Sequence, residues 1–208
     1  MLSKNKISFI NSLNQKKYRT EHQVFVAEGS KLVTELLDST FSIEMLIALP
    51  EWFLANNWLG FRGERIEASE QEMKKITLFS SPSEVLAVVK IPAQKPFQFE
   101  ADQLVLALDT VQNPGNLGTI IRLADWFGIK QVICSTECTD IYNPKTVQST
   151  MGAICRVDVS YHRLEDLLPQ AVATHQLPVY GAFLEGENIY HARLSRGGVI
   201  VMVNSPRL

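Results

Sequence analysis

An α/β chain with a parallel sheet in its second half and a smaller α/β domain before it is the architecture this sequence predicts, on three observations. The second half alternates short apolar runs with amphipathic stretches, the rhythm of parallel strands with helices on both faces of a sheet. The first half alternates in the same way, less regularly. Between them Lys90–Glu100 (KIPAQKPFQFE) carries Pro92 and Pro96 and no helical or strand period, which marks a crossing between domains. The expected domains are therefore 1–92 and 101–208 of a chain of 208 residues. With 46% hydrophobic and 20% charged residues, the composition excludes collagen-like, disordered and coiled-coil classes.

In the first half Val24–Gly29 (VFVAEG) reads as a strand ending in a turn, followed by a helix over Ser30–Leu37. Phe41–Leu49 and Glu84–Lys90 read as further strands, with the polar Ser69–Ile76 helical between them, and an alternating sandwich is the simplest assembly. In the second half Leu104–Asp109 (LVLALD), Gln131–Cys134, Pro178–Phe183 and Gly198–Val203 (GVIVMV) are apolar runs of strand length. Helices are expected at Gly115–Phe127, Pro144–Met151 and Leu164–His175. Ligands of such sheets bind beyond the carboxyl ends of the strands, so the loops after Asp109, Cys134, Phe183 and Val203 are where a site is expected.

A net charge of −2 argues against a protein that coats nucleic acid by charge alone. Charge is unevenly placed, however. Residues 1–20 contain Lys4, Lys6, Lys16, Lys17 and Arg19 and no acid, which suits either a phosphate-binding patch or a solvated N-terminal helix. Three cysteines make no closed disulfide framework. Cys134 and Cys138 lack the second close pair of a structural zinc site, so no metal is expected. No apolar run reaches the roughly 18 residues that span a bilayer, and Met1–Ile10 has no signal-peptide pattern. The expectation is a cytoplasmic protein without a membrane partner.

The segment after LVLALD is the most informative. Asn113 suits a helix cap, Pro114 the first turn and Gly128 the end. Leu117, Ile120, Ile121, Ala124 and Phe127 fall at helical spacing on one expected buried face, and Gly118, Arg122 and Asp125 form a second stripe. Only Gly115 and Gly118 stand where a dinucleotide-binding turn needs three glycines, so that reading is weak. What remains is a helix start expected to offer free N–H groups and a guanidinium to an anion, or an Arg122 that merely pairs with Asp125 on an exposed face.

N-P-G-N-L-G-T-I-I-R-L-A at 113–124 resembles the first motif of the SpoU (TrmH) RNA ribose methyltransferases of the SPOUT superfamily. N-P-K-T-V-Q-S-T-M-G-A-I at 143–154 resembles the second, with Thr150 at a usual Ser and Gln148 at a frequent Arg. K-K-Y-R at 16–19, V-F-V-A-E-G at 24–29 and L-A-V-V at 86–89 resemble the substrate-binding domain that precedes the catalytic domain in many of these enzymes. The resemblance implies a SPOUT domain with a C-terminal trefoil knot, a homodimer, and methyl transfer from S-adenosylmethionine to a ribose 2′-hydroxyl of rRNA or tRNA. It implies that Arg122 acts near the reacting hydroxyl and phosphate, with Asn116 in support. A guanidinium, always protonated, would act there by charge and not as the base. Cofactor contacts are expected from the loop Phe183, Leu184, Glu185 and Gly186, and from Met202 and Asn204 after the last strand. RNA contacts are expected from Lys16, Lys17 and Arg19. The family's third motif, of G-N-E-G type, is matched here only by Asn204, and the helical segment that completes the knot is absent from the 208 residues. That departure keeps a second expectation open, a noncatalytic RNA-binding or dimerisation module that retains the fold.

Overall fold

The computed structural model describes residues 2–94, 96–182 and 186–203. Contacts divide the chain into two units, Met1–Ala93 with Asp140–Cys155, and Gln94–Thr139 with Arg156–Leu208.

The first unit opens with α1 (Lys4–Ser12) and α2 (Lys16–His22), then runs β1 (Val24–Glu28), α3 (Ser30–Leu37), β2 (Ile43–Ala48), α4 (Pro50–Ala55), β3 (Glu64–Glu67), α5 (Glu70–Ile76) and β4 (Val85–Lys90). The sheet order is β1-β4-β2-β3. β4 runs antiparallel to β1 and β2, while β2 and β3 are parallel, so the sheet is mixed. Apolar continuity explains the interior: every residue of β1 and all of β4 except Lys90 are buried. Short α4 and the polar β3 (ERIE) carry too little periodicity to be read in advance. Ile10, Leu13, Val26, Ile47, Met73 and Leu86 pack into the core where α1 and α5 meet the sheet.

α5 starts with a capping box. The Ser69 side chain accepts from the Glu72 N–H, and the Glu72 carboxylate accepts from Ser69 N (2.9 Å). It also accepts from Leu2 N (2.7 Å). The backbone N–H of Ser69 first, and that of Leu2 second, hold Glu72 below its ordinary carboxylate range. A folded pKa below the unfolded one adds stability that is present above the unfolded pKa, near 4.5, and is lost as pH falls through the folded value. Ser69→Ala is expected to cost about 1 kcal/mol in urea unfolding at neutral pH. The urea midpoints of wild type and Glu72→Gln should converge as the pH is lowered from 6 to 3.

The second unit holds β5 (Leu104–Asp109), α6 (Pro114–Trp126) and β6 (Gln131–Ser135). The chain then contributes α7 (Pro144–Thr150) and a 3₁₀ turn, Ala153–Cys155, to the first unit. It returns as β7 (Asp158–His162), α8 (Leu164–Ala173), β8 (Val179–Ala182) and β9 (Gly198–Val203). All neighbouring strands are parallel, in the order β7-β6-β5-β9-β8. Val105, Ala107, Ile133 and Val199 cluster with Leu164 and Ala171 of α8.

Residues 140–155, assigned from the sequence to the second domain, pack in the first unit. Three contacts explain it: α7 lies against β1, the Tyr142 ring sits 4.9 Å from that of Phe25, and Asp140 pairs with Arg19 at 2.7 Å. A helix packed on β1 also explains why this edge strand is buried throughout. Asn204 and the residues after it, where the resemblance places the knot, lie outside the described residues.

Candidate active site at the sheet's switch point

β5 is the pivot of the parallel sheet. The chain leaves it for β6 on one side and comes back to β9 on the other, and the crevice outside the carboxyl ends at such a reversal is where open α/β sheets bind ligands. Register places Asp109 beside Val203 and Leu108 beside Met202. The motif segment 113–124 starts at this point and forms α6, with Pro114 in its first turn and Asn113 as its cap.

Asn113 corrects one expectation. Its Oδ1 accepts from Gly115 N (2.8 Å) and Asn116 N (3.1 Å), while Leu117 N donates to Asn113 O (3.1 Å). Pro114 has no N–H. The first turn is therefore satisfied from within, and anion recognition here falls to side chains.

Arg122 is the prominent one. It is exposed on α6, and its side chain has no hydrogen-bond or ion-pair partner among the described residues. The alternative pairing with Asp125 is not formed, because Asp125 accepts from Arg156 Nε at 2.9 Å. Asn116 is likewise exposed. Helix geometry sets residues six apart about 9 Å along the axis and about 120° around it, so the two side chains leave α6 in different directions.

Leu117, Ile121 and Ala124 form the buried face of α6 as expected, together with Gly118. Phe127 does not: it is 74% exposed, because the helix ends at Trp126 and Phe127 is its cap. With Leu123 (51%) and Trp126 (85%) it forms an exposed apolar face one turn beyond Arg122.

Of the residues expected at the cofactor, Phe183, Leu184, Glu185 and Asn204 lie outside the described residues. Gly186 and Met202 are described and exposed. Met202 presents an accessible apolar side chain at the carboxyl end of β9, in register with Leu108, suited to the apolar flank of a nucleoside thioether, while Val203, the next residue of the strand, leaves the opposite face.

The expected RNA contacts separate. Lys16 and Lys17 are exposed on α2, with Lys17 Nζ 5.7 Å above the Tyr18 ring. Arg19 is a correction: it is 2% exposed and spends its guanidinium on Leu13 O (2.8 Å), Asn14 O (2.9 Å) and Asp140 Oδ2 (2.7 Å). It is a structural residue of the first unit. An open depression in that unit, lined by Glu51, Glu70, Glu84 and Trp52, has the wrong charge for phosphate. Among the described residues no three His, Cys, Asp or Glu side chains gather as metal ligands, and no helix is long and apolar enough to cross a membrane.

Sequence reasoning passed over Ser135 and weighed Cys138 only as a metal ligand. Their polar atoms reach the backbone of the turn between β5 and α6, Ser135 Oγ at Thr110 N (3.0 Å) and Cys138 Sγ at Val111 N (3.2 Å). A hydroxyl at the end of a strand and a thiol three residues beyond it carry no signal of such a role by themselves.

A turn and helix with a free guanidinium at the switch point of a parallel sheet, joined to a small mixed-sheet domain, define a class of two-domain α/β proteins. Residues 4–87 match the MRM3-like substrate binding domain and residues 103–204 match the SpoU rRNA methylase family. The chain belongs to the SpoU rRNA methylase family. It is 30% identical over 180 residues to the Bacillus subtilis 23S rRNA (guanosine(2553)-2′-O)-methyltransferase RlmP, covering 86% of this chain and 71% of that protein. It is 26% identical over 167 residues to the mitochondrial rRNA methyltransferase 3 of Xenopus tropicalis, covering 74% of this chain but 39% of the other. Among solved structures, a TrmH-family protein from Porphyromonas gingivalis superposes with a TM-score of 0.85 at 37% identity, over 98% of this chain and 81% of its own. The AdoMet-bound rRNA methyltransferase of Sinorhizobium meliloti gives 0.83 at 30%, over 99% and 80%.

Proposed function

We propose that this chain transfers a methyl group from S-adenosylmethionine to a ribose 2′-hydroxyl of ribosomal RNA, with residues 1–92 binding the RNA and 101–208 carrying the transfer. The observation that carries the reading is Arg122, exposed and unpaired on the helix that starts at the switch point. A free 2′-hydroxyl is a poor nucleophile at neutral pH, and a fixed positive charge beside it favours the developing alkoxide. Asn116, leaving α6 in another direction, supports the turn or the RNA backbone and not the same atom. S-adenosylmethionine supplies a methyl already activated on a sulfonium. The task of Met202, Gly186 and the loop 183–186 is to hold it in line with the attacking oxygen. Relatives that act on rRNA favour that half of the expectation over tRNA.

Incubating the protein with labelled S-adenosylmethionine and unmodified rRNA, then mapping 2′-O-methyl groups, tests the reading. Label on a ribose supports it. RNA binding that persists in Arg122→Ala, with no transfer by either protein, would establish the noncatalytic module instead.

The exposed Leu123, Trp126 and Phe127 support a homodimer built across α6. Trp126→Glu is expected to shift the protein to monomer in sedimentation analysis and to lower transfer, since Arg122 lies on the same helix one turn away. For the RNA-binding domain, Lys16→Ala with Lys17→Ala is expected to weaken RNA binding and to reduce the slope of log K against log salt by roughly one to two, because released counterions scale with phosphates neutralised. An unchanged slope would return both lysines to a solvated helix face.

A further inference from the structure

The turn that opens the proposed active site is clasped by side chains at the end of β6 and in the loop after it. β5 runs out at Asp109, and Thr110 turns with φ of 55°, a left-handed conformation in which a β-branched residue is an outlier. Such strain persists only where the surroundings over-determine it, and here they do. Thr110 N donates to Ser135 Oγ (3.0 Å) and Val111 N to Cys138 Sγ (3.2 Å). The Cys138 thiol donates to Leu108 O (3.3 Å), and Thr139 N donates to Val111 O (2.9 Å). Cys138, 7% exposed, thus grips the backbone on both sides of the strained residue, two positions before it and one after.

We propose that Cys138, seconded by Ser135, is a positioning residue for methyl transfer: it fixes the Leu108–Val111 turn and, through it, the start of α6 from which Asn116 and Arg122 are presented. This rests on the roles proposed above for Arg122 and Asn116. A thiol suits the position because one atom must accept from Val111 N and donate to Leu108 O across a span that a hydroxyl on a shorter bond fills less well. Serine keeps both functions with reduced reach, and alanine keeps neither.

The test uses the full chain and two readouts, hydrogen exchange of the Thr110 and Val111 amides and steady-state transfer to rRNA. Cys138→Ala is expected to speed Val111 exchange at least tenfold and to lower kcat about tenfold, with KM for RNA within twofold of wild type. Cys138→Ser should recover most of both, and Ser135→Ala should speed Thr110 exchange in the same way. Ile133→Val, a buried change in the core that β6 shares with α8, is the control for simple destabilisation. Unchanged Val111 exchange in Cys138→Ala, or an equal kcat loss in Ile133→Val, would overturn the proposal. If Cys138→Ala does not fold, Cys138→Ser and Ser135→Ala decide it by the same exchange measurement. A wild type that transfers no methyl group would defeat the proposed function, while the exchange measurements alone would still decide whether Cys138 holds the turn.

Discussion

Arg122→Ala is expected to leave the protein folded and to lower kcat for methyl transfer by about 10²–10³-fold, the loss seen when one donor to a developing negative charge is removed, about 2.7–4 kcal/mol. Folding should be indifferent because the side chain is exposed and has no partner among the described residues, and because alanine is the better helix former. Binding of S-adenosylmethionine should also be unaffected, since the residues expected to hold it leave β8 and β9, not α6. Arg122→Lys keeps the charge but loses the planar fork that fits a phosphate and a hydroxyl together, so an intermediate kcat is expected. Asp125 is available as a control on the same helix: it pairs with Arg156 and not with Arg122, so Asp125→Asn should change kcat little. Transfer by Arg122→Ala within about threefold of wild type, at equal RNA occupancy, would remove this residue from the chemistry and leave α6 as an interface helix.

Strands written as unbroken apolar runs were legible in the sequence, as Leu104–Asp109 and Gly198–Val203 show, because runs of that length have few other uses, although the second is buried only at its first two residues. The bounds of α6 were legible too, through Asn113, Pro114 and Gly128, whose conformational preferences act locally. β7 was not. DVSYH is mostly half-buried at the edge of its sheet, so no face of it had to be uniformly apolar. Phe127 was misplaced because a helical period says nothing about where the helix stops relative to the layer it covers. The site divides along the same line. The motif located Arg122 and the turn, and the Asn113 cap that consumes the N–H groups expected to meet an anion is a local contact two and three residues long, but that Ser135 and Cys138 clasp the turn depends on juxtaposition across 25 and 27 residues of chain. Arg19 makes the limit plain. In one dimension it is the fifth cation of a basic cluster, and only its partner, 121 residues later, shows that it faces inward.

That inward arginine carries the second large expected effect. Arg19→Met should destabilise the first unit by about 3 kcal/mol, at the lower end for breaking a buried ion pair, because the Asp140 side chain left behind retains 16% of its exposure and some access to water. More than the pair is lost. The same guanidinium donates to the carbonyls of Leu13 and Asn14, where α1 gives way to α2, and Asp140 Oδ1 accepts from Tyr142 N (3.0 Å) at the start of the segment that carries α7. One side chain therefore joins the N-terminal helices to the segment holding the second sequence motif. Arg19→Lys should recover only part of the loss, since an ammonium cannot hold two carbonyls and a carboxylate in the plane of a fork. Asp140→Asn strands a buried cation, and its cost added to that of Arg19→Met should exceed the cost of the double variant, the excess being the coupling between the two. Urea unfolding of the four proteins measures this directly. RNA binding separates the structural role from a contact: below the unfolding transition Arg19→Met should keep the wild-type salt slope, whereas the Lys16 and Lys17 variant should not. A slope that drops by about one in Arg19→Met, without loss of stability, would put the guanidinium on phosphate after all.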